Sequence, residues 1–150
     1  MILTEKEVLL LKQFRVNARM KLTSMSRKTG IPVTSIFDKI TNLDKIGIIK
    51  KYTILLDYEL IGFEIKAILI IKINKKQKTD LKEFLSHHHS VNSLYRINNG
   101  FDFILEVIFK NMKIMDDFLE KIEKNFDILK LEIHYILEEL KREDFNCIDI

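Results

Sequence analysis

Residues 33–46 combine an apolar stripe with side chains that can form hydrogen bonds, and on a helix the two sets would lie on opposite sides. The stripe consists of Ile36, Ile40 and Leu43 at spacings of four and three residues, and Ile46 continues it. This period predicts an amphipathic helix that packs its apolar side on a small core. The opposite side has short or polar side chains, namely Thr34, Ser35, Asp38, Lys39, Thr41 and Asn42. A helix that reads base edges in the major groove of DNA needs such groups on its exposed side.

The residues just before this helix predict a tight turn between two helices. Gly30 can adopt the left-handed conformation that ends a helix, and Pro32 suits the opening of the next one. We therefore expect a second helix over residues 22–29 and a third over residues 33–46, which Gly47 ends. Two helices joined in this way describe a helix-turn-helix.

The flanking segments predict a winged variant of this motif. Thr4 and Glu7 form a capping box, which indicates that the first helix begins there. Residues 48–56 are rich in β-branched side chains and predict a strand, or wing, and residues 58–62 predict a short linker. We expect a DNA-binding domain over residues 1–62 and a second domain over residues 63–150.

The net charge of +3 is unevenly distributed along the chain. Residues 1–62 have 11 Lys and Arg against 6 Asp and Glu, whereas residues 63–150 have 14 against 16. The positive excess therefore lies in the segment that would bind DNA phosphates. The cations expected to do so are Lys21, Arg27, Lys28, Lys39, Lys45, Lys50 and Lys51. An ordinary solvated surface rich in lysine is the alternative.

Several other classes of protein find little support in the sequence. No segment approaches the roughly 18 apolar residues of a membrane span, and the charged residues 5–7 argue against a signal peptide. The single Cys147 is expected to be an incidental thiol in a reducing cytoplasm. Residues 87–89 are three consecutive histidines, which suit a solvated helix end better than a metal site. Nucleophile–base groupings and glycine-rich phosphate loops are missing from the sequence, so we do not expect an enzyme.

The second half of the chain alternates strand and helix patterns. The predicted order is strand 64–73, helix 80–86, strand 91–97, strand 101–109, helix 112–126 and strand 128–137. The run Asn98-Asn99-Gly100 predicts a hairpin between the two middle strands. This order is the ferredoxin-like βαββαβ plan, and the whole protein is predicted to be α+β. Such a sheet leaves one face uncovered, so we expect it to form a homodimer.

These features together resemble the Lrp/AsnC (feast/famine, leucine-responsive) family of transcription regulators. The resemblance covers nearly the whole chain. Its first half includes residues 17–20 (NARM), residues 29–31 (TGI), Ile40 with Leu43, residues 47–49 (GII) and residues 52–53 (YT). Its second half includes residues 100–103 (GFDF) and 111–112 (NM).

The resemblance implies a regulator that binds double-stranded DNA as a homodimer or a higher oligomer such as an octamer. It implies DNA contacts from the third helix, where Val33 joins the polar residues of the first turn. It also implies no cofactor, but an amino acid as a possible effector. By position, the effector region maps to Arg96, Asn98, Asn99, Gly100, Asp102, Met112 and Tyr135. A zwitterion could place its carboxylate on Arg96 and its ammonium on Asp102.

Three alternatives remain open at this point. The Asn-Asn-Gly run would close a hairpin with or without a ligand, so the protein could bind DNA constitutively as an architectural protein. Arg96 and Asp102 could simply pair with each other. The helix-turn-helix could also contact protein instead of DNA in a ligand-binding assembly module.

Overall fold

The computed structural model describes residues 3–146, and Cys147 lies outside them. The chain divides into two compact units of an α+β protein. Within the described residues, the first unit holds residues 3–55 and 140–146, and the second holds residues 56–139. The division differs from the prediction in two ways: residues 56–62 belong to the second unit, and residues 140–146 belong to the first. None of the helices in the described part of the chain has the length and apolar content needed to cross a membrane.

Three helices form the first unit: α1 (Glu5–Val16), α2 (Leu22–Thr29) and α3 (Val33–Lys45). They enclose a small core in which Leu10, Met25, Ile31 and Ile36 are at most 3% exposed. Leu43 is also buried, whereas Ile46 is 41% exposed. The prediction that Ile46 continues the apolar stripe is therefore wrong, because α3 ends one residue earlier.

Hydrogen bonds explain where α1 begins and where α3 ends. The backbone N–H of Thr4 donates to Glu7 Oε2 at 2.8 Å, and that of Glu7 donates to Thr4 Oγ1 at 3.4 Å, which confirms the predicted capping box. At the C-terminal end of α3, Gly47 has φ 77° and donates its N–H to the Asp44 carbonyl. The N–H of Ile48 donates to the Leu43 carbonyl. This pair of bonds is a Schellman motif, which requires a left-handed residue at position 47.

The predicted wing is not a strand in the structure. Residues 48–57 have no strand assignment, and the side chains of Ile54 and Leu55 are 67% and 55% exposed. Both Ile48 and Ile49 donate their N–H to the Leu43 carbonyl, and Tyr52 Oη donates to Asp44 at 3.0 Å. A strand needs a partner edge for its backbone groups, and β-branched composition alone does not provide one.

Arg15 ties the end of the described chain to the first unit. Its Nε donates to the Phe145 carbonyl at 2.9 Å and its Nη2 to the Glu143 carbonyl at 2.5 Å. The guanidinium also lies 3.5 Å from the Glu143 carboxylate. These bonds explain why residues 140–146 group with α1 and not with the sheet.

The second unit is a four-stranded antiparallel sheet with two helices. Its elements are β1 (Ile65–Ile73), α4 (Lys78–His87), β2 (Val91–Arg96), β3 (Phe103–Phe109), α5 (Met112–Asn125) and β4 (Ile128–Tyr135). The strand order is β2-β3-β1-β4, and all three pairings are antiparallel. The predicted alternation of strands and helices is thus observed in order, with ends shifted by at most two residues.

One face of this sheet is covered by α4 and α5. Alternate residues of β1, from Ala67 to Ile73, pack with Phe103, Leu105 and Val107 of β3 in the core. The helices contribute Leu81, Leu85, Met115, Phe118 and Ile122 to the same cluster. The other face presents Ile68 and Ile70 of β1 beside Ile104 of β3, all half-buried.

The predicted linker at residues 58–62 instead belongs to the second unit. Phe63 donates its N–H to the Tyr58 carbonyl at 3.0 Å, and Tyr58 Oη bonds to Asn92 at 3.5 Å. The Lys66 ammonium lies 6.0 Å from the Tyr58 ring centroid. These contacts attach the segment to the sheet, so the residues predicted as a linker form part of the second unit.

Candidate DNA-recognition and effector sites

The turn between α2 and α3 is built by Thr29, Gly30 and Ile31. Gly30 has φ 70° and donates its N–H to the Ser26 carbonyl at 2.8 Å, which ends α2. Thr29 Oγ1 donates to the Met25 carbonyl and accepts from the Ile31 N–H at 3.3 Å. Ile31 is 3% exposed and anchors the turn in the core. The chain then enters α3 through Pro32, as the sequence predicts.

The exposed side of α3 has most of the predicted base-reading groups. Thr34, Asp38 and Asn42 are exposed, and Val33 at the start of the helix is 37% exposed. Ser35 is half-buried and lies toward the flank of this surface. Carboxylate, amide and hydroxyl groups that face away from the core can accept or donate hydrogen bonds at base edges.

Lys39 differs from the other predicted phosphate contacts, because it faces α1. Its Nζ lies 3.9 Å from Glu7 Oε1, and its side chain is 27% exposed. The Thr4 backbone N–H and hydroxyl, which donate to Glu7, lower the pKa of the Glu7 carboxyl, and Lys39 adds to that effect. This contact links α3 to the capping box of α1. The sequence does not signal it, since the two residues are far apart in the chain.

The remaining predicted phosphate contacts are free cations. All six are exposed, and none has an ion-pair partner in residues 3–146: Lys21, Arg27, Lys28, Lys45, Lys50 and Lys51. Arg27 and Lys28 belong to the last turn of α2, next to the turn that leads into α3. Cations without a protein partner can neutralise phosphates without first breaking an ion pair.

In the second unit, the predicted hairpin turn requires two residues in the left-handed region. Asn99 has φ 62° and Gly100 has φ 89°, the combination found in tight two-residue turns. Ile97 donates its N–H to the Asp102 carbonyl at 3.0 Å, and Lys72 Nζ donates to the Gly100 carbonyl at 3.1 Å. Asn98, Asn99 and Gly100 are all exposed.

Asp102 is bound by groups of its own chain. Its Oδ2 accepts the Ile73 N–H at 3.0 Å, and its Oδ1 forms an ion pair with Lys78 Nζ. Partial burial raises the pKa of the Asp102 carboxyl, but the Ile73 hydrogen bond and the Lys78 contact outweigh it, so the pKa lies below its ordinary value. Sequence reasoning missed Lys78, because nothing in the spacing along the chain connects it to the hairpin.

Arg96 is exposed and does not pair with Asp102. It lies at the edge of an open groove of about 610 Å³ between α4 and β2, together with Lys78, Lys82 and the hydroxyl-bearing Thr79 and Ser86. Neither Arg96 nor Lys82 has an ion-pair partner among the described residues. The groove thus offers two unpaired cations to a carboxylate or another anion.

Met112 and Tyr135 lie at the opposite end of the sheet from the hairpin turn. Tyr135 pairs with Ala67 of β1 and donates its hydroxyl to Met112 Sδ at 3.7 Å. The backbone N–H of Asp102 instead donates to the carbonyl of Ile71. Ile71 is four residues from Ala67 along β1, a separation of roughly 13 Å. One chain therefore does not bring all seven predicted effector residues into one site.

Of the three histidines predicted to form a solvated helix end, His87 and His89 are exposed, and only His88 is half-buried. Only His87 belongs to α4, and its Nδ1 lies 2.9 Å from the Glu83 carbonyl. The centroid of the His88 ring lies 4.6 Å from that of Phe118 and 4.6 Å from that of His89. Partial burial lowers the pKa of the His88 imidazole. Residues 3–146 contain no group of three His, Cys, Asp or Glu side chains arranged to hold a metal ion.

Comparison with protein-family models matches residues 66–144 to the Lrp/AsnC ligand-binding domain. Among curated proteins, the chain is 26% identical over 129 residues to an uncharacterized HTH-type transcriptional regulator of Pyrococcus furiosus, covering 86% of each chain. It is 28% identical over 137 residues to an uncharacterized HTH-type transcriptional regulator of Pyrococcus horikoshii, covering 91% of this chain and 89% of the relative.

Solved structures share the fold at lower sequence identity. A transcriptional regulator of Neisseria meningitidis in complex with L-Met superposes with a TM-score of 0.86 at 18% identity, covering 94% of each chain. LrpC of Bacillus subtilis superposes with a TM-score of 0.83 at 19% identity, covering 94% of this chain and 99% of that one.

Proposed function

The chain belongs to the Lrp/AsnC family of transcription regulators, and we propose that it is a sequence-specific DNA-binding regulator modulated by a small effector. We assign the first unit as a helix-turn-helix that binds double-stranded DNA, although residues 48–56 form no wing strand. We assign the second unit as a ferredoxin-like domain that binds an amino acid or a similar zwitterion and joins subunits.

The observation that supports DNA binding best is the exposed side of α3 next to free cations. Thr34, Asp38 and Asn42 face away from a core that α1, α2 and α3 complete among themselves. Arg27 and Lys28 flank the start of this helix and have no protein partner among the described residues. Base-edge contacts would give the sequence preference, and the cations would fix the register on the phosphates.

The test is the binding of the full chain to duplexes at several salt concentrations, followed by selection of preferred sequences. We expect steep salt dependence, since each phosphate contact releases counterions, and an enriched motif in the selected pool. Weak binding that salt does not affect, with no enriched motif, would instead favour a helix-turn-helix that contacts protein.

Effector binding is supported by the family and by the free cations of the groove between α4 and β2. The solved structure of the Neisseria meningitidis regulator is that of a complex with L-Met. In this chain Arg96 and Lys82 offer positive charge to a carboxylate, whereas an ammonium at Asp102 would have to compete with Lys78. Residues at the other end of the sheet, Met112 and Tyr135, could join the same site only from a second subunit. A ligand between subunits would shift DNA affinity by its preference for one assembly state.

Calorimetry against the twenty amino acids tests the effector with Arg96→Ala as the variant. We expect one or a few amino acids to release heat with the natural chain and none with Arg96→Ala. Arg19→Ala is the matched control, because it removes an exposed cation of the first unit. No heat from any amino acid, with unchanged oligomer size, would favour a constitutive or architectural DNA-binding protein.

A further inference from the structure

Phe37 is the single aromatic residue of α3, and 60% of its side chain is exposed. The core of the first unit consists of Leu10, Met25, Ile31 and Ile36, with Phe14, Met20, Leu22 and Ile40 packed against it. Phe37 belongs to neither group. A phenyl ring that contributes nothing to the core of its own unit is available for contact with a partner.

Phe37 also lies among the groups proposed to face DNA. Val33, one turn earlier, is 37% exposed, and Thr41, one turn later, is exposed. Spacings of four residues place these three side chains along one line of the helix. Thr34 and Asp38 form the adjacent polar line. Phe37 is in the second turn of α3, and the first turns of a recognition helix are those that reach base edges.

We propose that Phe37 recognises the methyl group of a thymine in the major groove. This inference rests on the proposed DNA-binding function. The thymine methyl is the apolar group among the base edges of that groove, and a phenyl ring is one of the side chains that contact it. The surrounding charge suits DNA, since Arg27, Lys28 and Lys45 near the ends of α2 and α3 are exposed cations.

The experiment replaces single thymines of the selected site by deoxyuridine, which has the same hydrogen-bonding groups but no methyl. With the natural full-length chain, we expect the dissociation constant to rise about fourfold at one thymine per half-site. This is the effect of losing the burial of one methyl group. Substitutions at the other thymines should have smaller effects. This arm needs no protein variant, so it does not depend on the folding of a mutant.

The second arm repeats the scan with Phe37→Ala. We expect this variant to bind the selected site about tenfold more weakly, and to show no further loss when the critical thymine is replaced by deoxyuridine. Phe37→Leu keeps an apolar contact and should retain part of the methyl preference. Val16→Ala is the matched control: Val16 is 72% exposed on α1, and its loss should change neither affinity nor the deoxyuridine profile.

Three outcomes overturn the inference. The first is a deoxyuridine scan of the natural chain that is flat at every thymine. The second is a Phe37→Ala variant that remains as sensitive to the missing methyl as the natural chain. The third is a Phe37→Ala variant with altered oligomer size, which would assign Phe37 to a contact between subunits. If the natural chain selects no sequence at all, the proposed DNA-binding function itself fails, which is a different result from specific binding without a methyl preference.

Discussion

The carboxylate of Asp102 is held by Lys78 at the start of α4, and not by Arg96 on the neighbouring strand. The same carboxylate accepts the N–H of Ile73 at the end of β1. Asp102 therefore joins three elements of the second unit, and its substitution would disturb the fold as well as any ligand. Arg96 is the better residue for testing effector binding, because its guanidinium has no partner among the described residues.

Asp102→Asn should lower the free energy of unfolding by about 1–3 kcal/mol at pH 7, since it weakens a charge-assisted hydrogen bond and an ion pair. The pKa of Asp102 is lower in the folded chain than in the unfolded one. Its stabilising effect is thus fully present above the unfolded value of about 4 and is lost as the pH falls through the folded value. Urea unfolding at pH 7 and pH 3 measures both effects.

Asp117→Asn is the control for this pair of measurements, because Asp117 is exposed on α5. The control should leave the stability at pH 7 nearly unchanged. Equal acid sensitivity of Asp102→Asn and the natural chain would contradict the assigned role.

Gly100→Ala should destabilise the second unit by about 1 kcal/mol, because φ 89° is unfavourable for a residue with a Cβ atom. No atom lies within 4 Å of the position that a Cβ would occupy, so the cost is conformational and not steric. Asn99→Gly is the matched control and should be neutral or slightly stabilising at φ 62°. Denaturant midpoints measure the two effects, and equal stability of Gly100→Ala and the natural chain would be inconsistent with this turn.

Ile36→Ala should destabilise the first unit by about 2–5 kcal/mol, since Ile36 is fully buried between the helices. Ile46→Ala removes a side chain of the same type that is 41% exposed, and should cost only about 0.5 kcal/mol. Thermal unfolding followed by circular dichroism compares the two. Similar losses from both variants would mean that the apolar stripe does extend past the end of α3.

Asp38→Ala should cost roughly 1–3 kcal/mol of binding free energy on the preferred DNA site and relax its sequence preference, because a carboxylate can accept from the amino group of cytosine. Lys28→Ala should weaken binding to all duplexes about equally and reduce the salt slope by about 1. Fluorescence anisotropy with the selected site and a scrambled duplex separates the two patterns. A selected motif unchanged by Asp38→Ala would remove this residue from the base-reading set.

Ile70→Lys should reduce the oligomer size of the full chain at micromolar concentration. Ile70 lies on the sheet face opposite the helices, beside Ile104, and we propose that this face is paired across a two-fold axis. Ile114→Lys places the same charge on an apolar position of α5 that is 39% exposed, and it should leave the assembly intact. Sedimentation gives the masses, and an unchanged mass for Ile70→Lys would exclude this face from the interface.

The sequence by itself determined the features that depend on local chemistry. The capping box of Thr4 and Glu7, the left-handed Gly30 and Gly100, and the alternating apolar residues of β1 all follow from propensities that act within a few residues. For this reason the helices of the first unit were predictable, as were the succession of strands and helices along the second unit and the exposed polar side of α3.

Only the tertiary structure decided the features that depend on contacts between distant parts of the chain. It gave Lys39 a partner in Glu7, gave Asp102 a partner in Lys78, and grouped residues 140–146 with α1 through Arg15. It also left residues 48–56 without a strand partner and separated Tyr135 from the hairpin turn. Ion pairs and strand pairing bring together residues that no sequence period relates, so a single sequence specifies these contacts only through the completed fold.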